Sequence, residues 1–239
     1  VLRPALADFR YDLAGEDVYR IESTATVSRV TYTGTEGLSI KQDGKGTHFE
    51  ARAHYVRYSP DGKSNVDARF VTELLPNGSF EGRVDDDPDF LTILNQPFAV
   101  QLDPATLRDL RDLHGGVPFS ASSPLGGDSV LRGSLRPGAS GPIDGRPSVA
   151  VRFQAVGPMS GTLPGSSDAS ISGTMRMDGT AYYSLDDAML LALSARLTID
   201  ARLRQNHAAV LIPVHITYLR AIRVVRDERD VGQAVKMLR

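Results

Sequence analysis

From Met189 to Leu203 every odd-numbered position is apolar: Met189, Leu191, Leu193, Ala195, Leu197, Ile199, Ala201 and Leu203. The positions between them turn increasingly polar, ending in Arg196, Thr198, Asp200 and Arg202. A period of two marks a strand with one buried face and one wet face. At about 3.3 Å per residue this strand would run roughly 50 Å. Strands that long belong to large, curled antiparallel sheets rather than to small sandwiches of ordinary strands.

The same alternation recurs along the chain. Tyr19, Ile21, Ala25 and Val27 predict one continuous strand, and Phe49, Ala51, Ala53 and Tyr55 another. Further strands are predicted around Val66–Leu74, Phe80–Val84, Val117–Ser120, Val130–Leu135, Val149–Ala155, Ile171–Met177 and Val210–Tyr218. Turn chemistry separates them: Asp43–Gly46, Ser59-Pro60-Asp61-Gly62, Pro76-Asn77-Gly78, Asp178-Gly179 and Gln205-Asn206. Thr33-Gly34 and Glu36-Gly37 read as punctuation, Gly157–Gly161 as a turn, and Pro4–Leu13 as an arm or short strand. Pro213 inside the last strand predicts an edge position or a bulge, because proline cannot donate to a ladder.

Two helices are expected. Asp103 can cap and Pro104 suits the first helical position, and Leu107, Leu110 and Leu113 form a stripe that Gly115-Gly116 ends. Val231, Ala234, Val235 and Leu238 predict a short tail helix. The predicted fold is therefore mainly β: a large, strongly curled antiparallel meander, half-barrel or barrel-like, with one inserted short helix and a C-terminal helix. Residues 1–239 are read as a single all-β domain. Its parts are a strand set at about 17–84, a helix-containing insert at about 85–116, a second strand set at about 117–225 and a tail at 226–239.

Composition changes this picture only by exclusion. With 41% hydrophobic and 23% charged residues the chain has the make-up of a soluble globular protein. The net charge of −2 gives no global attraction to nucleic acid or anionic membrane, and no basic cluster is interleaved with aromatics. The arginines along the strands read as solvated faces. The absence of cysteine excludes a disulfide scaffold, thiol catalysis and thiolate metal sites. No apolar run is long enough for a membrane-spanning helix. A start at Val1 fits both a removed signal segment and a trimmed chain; the location expected is exported, with a cytoplasmic one left open.

Candidate chemistry is sparse. Asp85, Asp86, Asp87 and Asp89 offer carboxylates for Ca²⁺, but the spacing is not that of a calcium loop and Pro88 interrupts it. A solvated loop is expected there, and a structural turn at Asp186-Asp187. His48 and His54 point to one polar face and would need a third ligand from another strand to hold a metal; they and His215 are expected to be surface residues. No nucleophile elbow, phosphate loop or zinc motif is present. No cofactor and no metal are expected.

The strands offer more apolar face than one or two short helices can cover. Such a sheet closes on itself, packs on another sheet, or leaves a groove. In this arrangement of a long meander with an inserted Leu-rich helix the chain resembles bacterial periplasmic half-barrel proteins of the lipoprotein-carrier type. The resemblance is one of architecture, without a shared motif, and implies a curled sheet able to shelter lipid. The function expected is that of a non-enzymatic, exported binder of a lipid or acyl chain. Its lining would be Leu191, Leu193, Leu197, Ile199, Ile212, Val214 and Ile216, with Leu107 and Leu110 on a plug or lid. A structural module without a small-molecule ligand, whose sheet edge or face docks a protein partner or a second copy, is the alternative, with the Pro213 strand as the candidate edge. A hydrolase or metal enzyme is the third.

Overall fold

The computed structural model of the chain describes residues 6–42, 47–74, 80–89, 116–122, 130–162, 169–186, 189–205, 211–225 and 232–238. Eleven strands form one sheet: β1 (Leu6–Ile21), β2 (Thr26–Gln42), β3 (Thr47–Ser59), β4 (Gly62–Leu74), β5 (Phe80–Asp85), β6 (Val117–Ser122), β7 (Val130–Ile143), β8 (Arg146–Thr162), β9 (Ala169–Ser184), β10 (Leu190–Gln205) and β11 (Leu211–Val224). The order across the sheet is β5-β4-β3-β2-β1-β11-β10-β9-β8-β7-β6, and every neighbouring pair is antiparallel. Each half is a meander, and the two ends of the chain pair with each other at its centre. The sheet curls without closing: β5 and β6 are its two edges.

Alternation builds the two faces. The inner face carries Tyr11 and Leu13 of β1, Phe49 and Ala51 of β3, Val151 and Phe153 of β8, and the odd positions of β10, all buried. They belong to one apolar cluster that runs from Phe70 on β4 to Leu131 on β7. The outer face is polar. A helix α1 (Ala234–Met237) packs there on Ala14 and Ala221. The backbone N–H groups of Gly232 and Ala234 donate to Asp12 at 2.9 and 2.6 Å, so a buried carboxylate fastens the C-terminal segment over the central β1–β11 pair.

Several expectations are corrected. Residues 6–13 are neither an arm nor a short strand; they begin β1, paired with β2 from Leu6 and with β11 from Tyr11. The strand expected across 19–27 is broken at a 3-10 turn, Glu22–Thr24, closed by Ala25 in the left-handed region at φ 52°. Val27 consequently lies exposed, not on the inner face. Gly34 and Gly179 do not make turns. Both sit mid-strand on the inner face, where a side chain would meet backbone: a Cβ on Gly34 would lie 2.2 Å from the His54 carbonyl oxygen, and one on Gly179 2.2 Å from that of Ser194. Glycine there lets adjacent strands close up on the concave side. Gly157–Gly161 likewise continues β8, paired with β9 from Gly157↔Met175 to Gly161↔Ile171.

The Pro213 strand is central, not an edge. β1 pairs with it only as far as Ile21↔Val214, so Pro213 faces no β1 partner and its missing N–H is tolerated. The tail helix is shorter than expected, starting at Ala234. The Ser59–Gly62 turn is as expected, with Gly62 at φ +133°. The helix expected over 103–114, with Leu107 and Leu110, lies outside the described residues, as do the turns at 43–46, 76–78 and 206.

Candidate functional site

Leu191, Leu193 and Ile199 are fully buried and Leu197 nearly so, on the concave face of β10. Cross-strand register brings the rest of the expected lining beside them: Ile199↔Ile216, Ala201↔Val214 and Leu203↔Ile212. Ile216 is buried, whereas Val214 and Ile212 are half-buried towards the end of the sheet. The structure thus places these residues on one continuous apolar surface, sealed at its middle and more open at its end. On the strands near the unclosed side the inner positions mix small and large side chains: Ala51, Ala53, Ala68 and Ala155 alternate with Phe49, Tyr55, Phe70 and Phe153.

The sequence reading missed a buried polar cluster on this inner face, at the level of Leu193 to Leu197. After β5 the chain turns inward at Asp86, whose N–H donates to the Arg69 carbonyl at 3.1 Å, while Arg69 N–H donates to the Asp86 carboxylate. This carries Asp87 and Asp89 onto the inner face, where both are buried; the acidic run is not a solvated loop. The reason is the partners waiting there. Tyr55 Oη lies 3.0 Å from Asp87 Oδ1 and 2.8 Å from Asp89 Oδ2. Tyr32 Oη lies 2.7 Å from Asp17 Oδ2 and 3.2 Å from Asp89 Oδ1. Arg220, with no exposed surface, donates from Nη1 to Asp17 Oδ1 at 2.5 Å and from Nη2 to the Asp89 carbonyl at 2.7 Å. Its guanidinium also lies 5.4 and 5.3 Å from the ring centres of Tyr32 and Tyr218.

Each tyrosine hydroxyl has one proton to give, and two hydroxyls face four carboxylate oxygens. Burial first, then Asp87, pushes the Asp89 carboxyl up, against the hydrogen bonds of Tyr55 and Tyr32 and the charge of Arg57. Burial followed by neighbouring carboxylates drives the Tyr19, Tyr32 and Tyr55 hydroxyls far above the ordinary phenol range. Burial lowers the hold of Arg220 on its proton, but Asp17 beside it more than offsets this. Arg57 Nε is buried without a hydrogen-bond partner, and its ion pair to Asp89 is long at 3.6 Å. The cluster ties the 86–89 segment to the inner face through Asp87 and Asp89, and Arg220 Nε, like Arg57 Nε, is buried without a hydrogen-bond partner.

A signal for it existed. Arg220 falls at an inner position of the run Ile216, Tyr218, Arg220, Ile222, Val224, and Asp17 at an inner position after Tyr11 and Leu13. A charge where the period of two demands an apolar side chain needs a buried partner.

The three described histidines, His48, His54 and His215, lie on the outer face, as expected, and each sits directly across from an acid. His48 Nδ1 is 2.5 Å from Glu73 Oε1, His215 Nδ1 is 2.5 Å from Asp200 Oδ1, and His54 pairs with Asp67. Among the described residues no group of three or more His, Asp or Glu is placed to hold a metal ion. Beside His215 the outer face has an open hollow of about 650 Å³, lined by Arg20, Glu22, Ser172, Asp200, Arg202 and Pro213 among others. It forms where β1 stops while β9, β10 and β11 run on.

Comparison with known proteins adds little to this geometry. No family model matches the chain, and no curated protein matches it. Among solved structures it is similar to a protein of Parabacteroides distasonis provisionally described as a lipoprotein, at 12% identity and a TM-score of 0.22, over 86% of this chain and 93% of that one. A likeness that shallow carries no argument for function. Among the described residues no helix is long and apolar enough to cross a membrane.

Proposed function

We propose that the chain is a non-enzymatic binding protein that takes an apolar ligand, a lipid or acyl chain, on the concave face of its sheet. The observation that supports this is an apolar inner face spread over β1–β4 and β7–β11 in a sheet that stays unclosed between β5 and β6. A sheet of eleven strands is too wide for its own side chains alone to fill the space it curls around, and an unclosed one keeps an apolar wall beside a gap. Ala51, Ala53, Ala68 and Ala155 are small inner residues on the strands near that gap, and the Asp17–Arg220 network turns its charges on one another within the same face. The reading carries with it the exported location expected from the sequence. The strand named as the docking edge in the alternative reading, β11, lies inside the sheet between β1 and β10.

Titration of delipidated protein with 11-(dansylamino)undecanoic acid tests the proposal. It predicts saturable, near-stoichiometric fluorescence enhancement that a natural fatty acid displaces. Ala53→Phe, which fills the wall, should abolish binding, and Thr35→Phe on the outer face should not, with both folds checked by circular dichroism. Absence of saturable binding in the folded wild-type protein overturns the reading.

A further inference from the structure

The outer face is not electrically uniform. Arg132 and Arg136 of β7, Arg152 of β8, Arg176 of β9, and Arg196 and Arg202 of β10 all project from it and are exposed. The acids interspersed with them on these strands are Asp178 and Asp200, and Asp200 is already engaged by His215. Among the described residues none of the six arginines makes an ion pair or hydrogen bond. Arg136 stands directly across from Arg152, a like-charge pair that destabilises a sheet unless an external anion offsets it. Arg132, Val156 and Arg176 form one row across β7, β8 and β9. With strands about 4.8 Å apart, Arg136 and Arg152, Arg132 and Arg176, and Arg176 and Arg196 lie within or close to the roughly 8 Å Debye length of physiological salt, so their fields add. The whole chain is slightly acidic at −2, so this half-face is a local concentration of positive charge.

We propose that this face docks on an anionic lipid surface, with the arginines on headgroup phosphates. The apolar content of the patch favours lipid over other polyanions. Val156 is 45% exposed between Arg132 and Arg176, Val130 is 38% exposed at the start of β7, and Pro158 is exposed beside them. Exposed apolar side chains among cations suit the headgroup boundary of a bilayer. A nucleic acid would call for stacking aromatics, or for a narrow element able to enter a groove, and a broad sheet face is neither. The polar outer face also differs from the apolar girdle of a transmembrane barrel, so the contact is peripheral. This proposal rests on surface charge and stands apart from the ligand reading of the concave face.

Sedimentation of the delipidated full chain with vesicles tests it. Vesicles of equal phosphatidylglycerol and phosphatidylcholine should bind the protein at low salt and release it at high salt, and pure phosphatidylcholine should not bind. The double variant Arg152→Gln/Arg176→Gln, both at exposed positions, should fold normally and bind about 25-fold more weakly, from roughly a five-fold contribution per arginine near an anionic surface. Val156→Ser should weaken vesicle binding while leaving any retention on heparin unchanged. Failure to bind anionic vesicles, equal binding to neutral ones, or binding undiminished in the double variant each overturns the proposal. Binding to heparin without binding to vesicles overturns it in favour of a soluble polyanion.

Discussion

Arg220 is the residue on which the interior turns. It joins β11 to β1 through Asp17 and to the inward-turning segment through the Asp89 carbonyl. Removing one partner of a buried ion pair leaves the other uncompensated, so Arg220→Met should lower stability by about 3–5 kcal/mol in urea unfolding. A loss under 1 kcal/mol would mean that the network is solvated in solution. Asp89 makes a separate prediction with a definite sign. Its carboxyl is held up in the folded state, so the protonated form contributes stability that is present below the ordinary carboxylate range. That contribution is lost as pH rises through the raised folded value. Asp89→Asn should lack this loss, so the Tm difference between variant and wild type should move in the variant's favour across that window. The tyrosines act in the same direction at alkaline pH: their phenols stay protonated in the fold above the range where an unfolded chain ionises, so stability falls as pH rises past about 10.

At the scale of elements, legibility followed the regularity of the pattern. β10 was readable end to end because an apolar residue occupies every inner position of its odd series. β2 and β9 were not, because Gly34 and Gly179 look alike in a turn and in a tightly coiled strand; only the backbone of the neighbouring strand, at 2.2 Å from the absent Cβ, distinguishes them. The strand break at Glu22–Thr24 was hidden because Thr24 and Thr26, with strand propensity, flank Ala25, the residue at positive φ. Gly179→Ala is the direct check. It should cost about 1–3 kcal/mol by forcing β9 and β10 apart, where the same change at an unhindered strand glycine such as Gly141, with nothing near its absent Cβ, should cost less. Equal effects would contradict the close approach. The buried cluster was illegible for another reason. Its members come from β1, β2, β3, β11 and the 86–89 segment, and Asp17 and Arg220 lie 203 residues apart, so no local spacing brings them together.

The whole molecule is a curled sheet with its apolar side inward, its polar side outward and one unclosed seam between β5 and β6. The sequence reading reached this architecture from alternation alone, and it named Leu191, Leu193, Leu197, Ile199 and Ile216, which do share the concave wall. It could not place the seam, because which strands are edges depends on the pairing of β1 with β11, a contact between the two ends of the chain. The central claim is that the wall beside the seam holds an apolar ligand. Native mass spectrometry of protein purified gently from a bacterial host, followed by solvent extraction, tests it most directly. The account predicts an extractable acyl species bound near one equivalent per chain, released when the protein unfolds. A clean ligand-free mass from folded protein that also fails to take up added fatty acid would contradict it.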